Sequence, residues 1–353
     1  MNKRFSWHST QWQTVLGPGL ARLAHANLLI GAAGLGKRGF AEQLGALLLC
    51  EAPMTRAAEA AGDANLAACG ACPSCRWLDS ASHPDMRVIA PTGDEAEPEE
   101  GGKKKRTQPM IRIDDIRGLE EFVFVGSHRQ GRRVVRVEEA ERMNIPAANA
   151  LLKLLEEPPA GVYFILTCSN PRLLLPTIRS RCRTLPFLPP TRAEAEAWLR
   201  TQGAESRAAK FIDVAGGAPL RVMEWQERGL LGVIETLLDA LAKAKDPLVL
   251  ARQWDELLRK EAALDADLLV ETVQRWLLDV GMATAGLAPR FHTRWNLPDA
   301  HHLPSALTAA RGWRELLRFR RSARHPLNQQ LFLEEFAVFA MHALSPDAPR
   351  RAA

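Results

Sequence analysis

The apolar segment Asn27-Leu28-Leu29-Ile30 runs directly into Gly31-Ala32-Ala33-Gly34-Leu35-Gly36-Lys37-Arg38, and Lys37–Leu49 then continues apolar at helical spacing. A glycine-rich turn between a strand and a helix admits few folds, because its backbone N–H groups must converge on one point while the chain reverses. The run fits a phosphate-binding loop at every position except the last, where a Ser or Thr hydroxyl would hold Mg²⁺. Glycines can also simply make a tight turn. Gly31, Gly34, Gly36 and Lys37 in register after a strand favour a phosphate loop, working or descended, over that alternative. Arg38 removes the metal ligand and adds a positive charge beside the metal position, which leaves ATP and Mg²⁺ doubtful as cofactors of this chain.

The alternation continues for about two-thirds of the sequence. A helical pattern ends near residue 24, ahead of the first strand. Short β-branched runs at 86–90, 134–137 and 162–167 are expected as buried parallel strands, with helices at 114–125 and 145–157 between them. Pro158-Pro159 stops the second helix. This pattern predicts a doubly wound α/β domain over residues 1–188. Within it, residues 92–109 carry acids followed by bases and are expected to form a mobile surface loop. Its Lys103-Lys104-Lys105-Arg106 cluster is more simply a solvated run than a DNA contact. After Pro189-Pro190 only helical signals remain, giving a small helical domain over 189–225 and a larger helical block over 226–345.

With 353 residues the chain has material for two or three cores. Hydrophobic residues at 46% and charged residues at 25% exclude a disordered or fibrous class. Absence of a long apolar run or an apolar leader favours a cytoplasmic protein. A net charge of +5 allows a polyanionic partner without requiring one.

Four of the six cysteines, Cys50, Cys69, Cys72 and Cys75, follow a C-x18-C-x2-C-x2-C spacing. In a reducing compartment that clustering points to metal rather than disulfides, and four thiolates suit a tetrahedral zinc ion. A closed four-sulfur set leaves no position for water, so the expected role is structural. The second half of a phosphate-loop site is an acid at the end of a buried strand, and Glu138-Glu139 follow residues 134–137 there. Glu138 could reach a metal and Glu139 could orient water, or both could be surface acids on a retired site. Arg136 interrupts the apolar strand, which suggests an edge or a subunit surface.

On the helix, Asn149-Ala-Leu-Leu-Lys-Leu-Leu-Glu-Glu-Pro-Pro159 precedes a strand and then Ser180-Arg181-Cys182. Together with the glycine loop and the cysteine cluster, these motifs resemble the AAA+ subunits of the bacterial DNA polymerase III clamp loader, over residues 10–225. Arg38, Glu138-Glu139 and the Ile113-Asp-Asp-Ile-Arg117 run make the chain more similar to the delta-prime branch than to the gamma/tau motors. The resemblance implies an α/β P-loop (AAA+) domain with an inserted four-cysteine zinc module, a small helical lid and an all-α collar that holds a ring of subunits. It also implies gamma/tau and delta subunits as partners, with the sliding clamp and primer–template DNA reached through the complex. Arg181 would be the finger offered to a neighbour's γ-phosphate, a task suited to a planar, permanently charged guanidinium. Thr167 and Asn170 would sit where the family keeps a polar nucleotide sensor, and Arg221 where a second sensing arginine would reach in. Two other readings remain: an active motor ATPase of the same assembly, and a zinc-dependent DNA-binding module on a P-loop scaffold.

Overall fold

Five short parallel strands carry the first half of the chain. In the computed structural model β1 (Ala26–Ile30), β4 (Met86–Ile89), β5 (Arg133–Val137), β6 (Val162–Cys168) and β7 (Arg183–Pro186) form one sheet in the order β4-β5-β6-β1-β7, while β2 (Met54–Thr55) and β3 (Leu66–Ala67) make a separate antiparallel hairpin. Residues 4–55, 65–93, 109–124, 128, 131–295, 304–323 and 328–345 are described. The 103–106 cluster, most of the 92–109 loop and Val125 lie outside them. Two compact units divide the chain, Met1–Pro189 and Pro190–Ala353.

In the first unit, register sets Leu28 of β1 between Leu166 of β6 and Thr184 of β7. The central strands are mostly apolar, with Asn27, Arg133 and Arg136 as buried exceptions, because helices cover both faces of a parallel sheet. Helix α1 (Ser9–Leu16) precedes β1, and α2 (Lys37–Leu49) follows it and packs on β5 and β6. Next come α3 (Pro73–Asp79), α4 (Ile113–Phe124), α5 (Ile145–Glu156) and α6 (Pro176–Arg181). Asn144 caps α5 by accepting the Ala147 N–H at 2.8 Å, and the proline pair after Glu157 stops it.

Three expectations need correction. The helix ahead of β1 ends at Leu16, not near residue 24, because Gly17-Pro18-Gly19 breaks it and only a 3-10 turn, Leu20–Arg22, follows. β4 is not a buried strand: it is the sheet edge, with Arg87 and Val88 exposed. Arg136 lies on neither an edge nor a surface. It is buried in the interior strand β5, where nearby carboxylates compensate its charge.

The second unit is helical: α7 (Arg192–Thr201), α8 (Pro219–Glu227), α9 (Leu230–Lys243), α10 (Pro247–Lys260), α11 (Ala266–Thr284), α12 (Ala306–Ala323) and α13 (Gln329–Leu344). A capping box of Thr191 and Glu194 starts α7, and Asp246, Asp265 and Asn328 cap α10, α11 and α13. One core runs from Ala195 to Ala343 and includes the fully buried Trp254 and Trp276, with Trp313 packed against it.

Candidate functional site

Brought side by side, the carboxyl ends of β1, β5 and β6 place Gly31, Glu138 and Ser169 at one edge of the sheet, where ligands of such folds sit. Gly34 and Gly36 take left-handed backbone, with φ of 80° and 89°, and wind the chain into α2. An aromatic wall supports this turn from behind. Buried His8 directs Nε2 to the Leu35 carbonyl at 2.7 Å, and Trp7 Nε1 donates to the same oxygen at 3.3 Å. Burial holds the His8 pKa down to about 4, against the opposing pull of that carbonyl. At neutral pH the ring is therefore uncharged and acts as a fixed donor.

Lys37 is 6% exposed, and its Nζ donates to the carbonyls of Gly31 and Ala32 at 2.7 and 2.8 Å and to Ser169 Oγ at 3.1 Å. Burial lowers its pKa to about 8, with Glu141 the leading opposing charge. At the next residue the pattern departs from a working loop. Arg38 Nε lies 3.2 Å from Glu42 Oε1 and 3.4 Å from Glu138 Oε1. Arg136 Nη2 approaches the same two oxygens at 3.5 and 2.6 Å. Glu138 is thus a buried acid at its strand end, held between two guanidiniums.

The other candidate residues at this edge serve the loop's own hydrogen bonding. Glu139 adopts φ 48°, its N–H donates to Thr167 Oγ1 at 3.0 Å, and its carboxylate meets Arg142. Glu141, which the motif reading passed over, accepts the Ser169 and Asn170 N–H groups at 2.8 and 3.1 Å. Asn170 in turn accepts from the Arg172 N–H. Glu42 and Ser169 were also missed. Glu42 could have been noticed four residues after Arg38 on one helix face, and Ser169 as a hydroxyl at the end of a strand beside the loop.

Arg181 ends α6. Its Nη2 meets Glu156 Oε1 at 2.5 Å, its Nη1 donates to the Thr177 carbonyl at 3.3 Å, and its side chain is 37% exposed. In the second unit Arg221 of α8 grips Glu271 of α11 with both terminal nitrogens, at 2.9 and 2.7 Å. Arg275 pairs with the same carboxylate and Arg320 lies 3.8 Å from it. Burial alone would raise the Glu271 pKa, but Arg275, Arg221 and Arg320 outweigh it and hold the carboxyl down to about 2.

The four thiols form a separate centre. The Sγ atoms of Cys50, Cys69, Cys72 and Cys75 all lie within 4.8 Å of one another, with Cys50–Cys72 at 4.0 Å and Cys69–Cys75 at 3.9 Å. Tetrahedral ligation with metal–sulfur bonds of about 2.3 Å would put the sulfurs about 3.8 Å apart, so the donor set could close on one metal ion. The 18-residue gap is no obstacle, because Cys50 sits at the C-terminus of α2 and receives the Cys69 N–H at 3.2 Å. Backbone N–H groups of Ala71 and Cys72 point at Cys69 Sγ and pull its pKa down to about 6, whereas burial raises Cys50 and Cys75. Among the described residues no helix is long and apolar enough to cross a membrane.

Comparison with known proteins agrees with the order of these motifs. Residues 14–191 match the family described as DNA polymerase III, delta subunit. The chain is 37% identical over 258 residues to the delta-prime subunit of DNA polymerase III from Pseudomonas aeruginosa, covering 71% of each sequence. It is 32% identical to the Escherichia coli delta-prime subunit over 67% of this chain and 65% of that one. A gamma/tau subunit from Mycobacterium bovis is 31% identical over 63% of this chain and 34% of its own length. The family match over half the sequence, and the delta-prime likeness over most of it, make the conclusion plain: the chain belongs to the delta-prime family of DNA polymerase III subunits.

Proposed function

We propose that this chain is a stator subunit of a bacterial clamp loader, the assembly that uses ATP to open a sliding clamp and close it on primed DNA. On this reading it binds gamma/tau and delta subunits, works in the cytoplasm, hydrolyses no ATP of its own and lends Arg181 to nucleotide bound by a neighbour. The sliding clamp and primer–template DNA are reached through the complex. Helices of residues 189–225 serve as the lid and those of 226–345 as the collar.

The contrast between Arg181 and the pair Arg38 and Arg136 carries the reading. Arg38 and Arg136 engage the acid that a working loop would keep for its metal. Arg181, by comparison, stands half-exposed at a helix end, held by one solvent-facing carboxylate that a triphosphate, with more charge and more oxygens, can displace. The four-cysteine centre fits zinc in a structural role, with all four positions filled by protein. Thr167, Asn170 and Arg221 are engaged in hydrogen bonds or ion pairs of their own, which favours structural roles for them over nucleotide sensing. The motor alternative draws support from Lys37, which stands where a phosphate-binding lysine belongs, and from the gamma/tau likeness.

The test is Arg181→Ala in the reconstituted complex. Assembly should persist by gel filtration, while turnover at the site that Arg181 serves falls by about 10³-fold, the lower range for arginine fingers. Unchanged turnover in an assembled complex would refute the finger and, with it, the stator mechanism.

A further inference from the structure

Phosphate loops hold Mg²⁺ between the hydroxyl that follows the lysine and an acid at the end of another strand of the sheet, here β5, one strand removed from β1. Neither ligand is available here. Position 38 carries a guanidinium, and Glu138, 8% exposed, receives Arg136 Nη2 at 2.6 Å and Arg38 Nε at 3.4 Å on one oxygen. Glu42, from the first turns of α2, faces the same two arginines at 3.2 and 3.5 Å. Each arginine therefore touches both carboxylates, and the four formal charges sum to zero.

We infer that Arg38 and Arg136 take the electrostatic place of a divalent cation, so that the phosphate-loop edge of this chain is closed to Mg²⁺ by its own side chains. A carboxylate buried at a strand end, with a second one from α2 beside it, would be costly without a cation, and two guanidiniums supply that cation within the fold. A metal ion entering beside Glu138 would meet two positive charges at contact distance and would have to displace Arg136 from a buried site where its charge has no other partner of comparable closeness. Arg136, which has no place in an apolar strand, is thereby explained together with Arg38. The inference rests on the descent of residues 31–38 from a phosphate loop. It does not depend on Arg181, so an unchanged turnover with Arg181→Ala would remove the finger and leave this closure standing.

The experiment is a calorimetric titration of the full chain with ATP, once in excess EDTA and once in millimolar Mg²⁺. For the wild type the two affinities should agree within about twofold, or binding should be undetectable in both. Affinity at least about tenfold higher with Mg²⁺ would overturn the inference. The variant R38T/R136V restores the hydroxyl and frees both carboxylates. It should gain Mg²⁺-dependent ATP binding by about tenfold or more over its EDTA value, and R38T alone should gain part of that. A folded double variant that stays indifferent to Mg²⁺ would also overturn it. Should the double variant fail to fold, R38T and the wild-type comparison decide.

Discussion

The cluster around Glu271 tests whether Arg221 is a strut or a nucleotide sensor. Replacing Arg221 by Gln removes two charge-assisted hydrogen bonds but leaves Glu271 with Arg275 and Arg320, so the expected cost is about 1–3 kcal/mol. Replacing Glu271 by Gln is different in kind. Arg221 and Arg275 both lose their ion-pair partner inside the fold, and stranding buried charge costs about 3–5 kcal/mol. For a unit of this size, 1 kcal/mol moves the melting temperature by about 2–4 °C. Glu271→Gln should therefore lower the transition of the helical unit by about 6–20 °C, and Arg221→Gln by a clearly smaller amount. Intrinsic fluorescence is weighted towards that unit, where Trp225, Trp254 and Trp276 are all buried, although Trp12 is also buried in the first unit. Acid supplies an independent check. The Glu271 carboxyl is held down to about 2 from a usual 4.5. A depressed acid contributes stability that is complete above the unfolded value and is lost as pH falls from about 4.5 towards 2, at most about 3 kcal/mol here. Glu271→Gln should abolish this component of acid sensitivity. If Arg221→Gln proved as costly as Glu271→Gln, or if the acid component survived in Glu271→Gln, Arg221 would not be one of several arginines bracing a single carboxylate.

On the proposed structural role, stripping metal from the zinc-loaded four-cysteine centre with a strong chelator should raise amide hydrogen exchange over residues 65–79 and leave the β5 and β6 amides protected; unchanged exchange, with metal loss verified, would count against a structural ion. Gly31→Ala should destabilise the first unit by about 1–3 kcal/mol or more in urea denaturation, because a Cβ there would press on the backbone oxygen and Cβ of Phe187. Gly39→Ala, on open space inside α2, should instead stabilise by up to about 1 kcal/mol. Equal melting curves for these two variants would show that the loop's packing is not what fixes its glycines.

Legibility in the sequence followed the strength of the local signal. Strands β1, β5 and β6 were readable because a parallel sheet buried on both faces leaves short, mostly apolar runs, interrupted in β5 by Arg136, and α5 was readable because a cap and a proline pair bracket it. Strand β7, Arg-Thr-Leu-Pro, was not, since an edge strand with one buried side chain has no pattern to detect. The short hairpin β2–β3 depends on the ends of the cysteine module and carries almost no signal of its own. At the site, motif spacing located Lys37, Arg38 and Glu138, but only the fold could show what neutralises Glu138. Glu42 and Arg136 are 94 residues apart and meet across a helix–strand contact, which is beyond any local periodicity.

On the inference drawn above, a loop closed to metal could be expected to drift in shape, yet this one keeps its turn and its lysine, and packing alone accounts for both. A side chain at Gly36 would need left-handed backbone and would strike the rings of Phe5 and His8, at 2.7 and 2.9 Å from its Cβ. Gly31 is confined by Phe187, whose N–H donates to the Ile30 carbonyl at 2.7 Å as the sheet ends. The Lys37 Nζ satisfies three oxygens that the turn would otherwise leave short of a donor inside the fold, so removing it costs hydrogen bonds whether or not a phosphate ever arrives. Glycines and lysine in this pattern are therefore evidence for a shape, and the shape is required by the aromatic wall of residues 5–8 and by β7. The residues that report on chemistry are the ones the shape does not need. Arg38, largely exposed on the helix, and Arg136, a charge inside an apolar strand, have no packing reason to be where they are, and both point to Glu138.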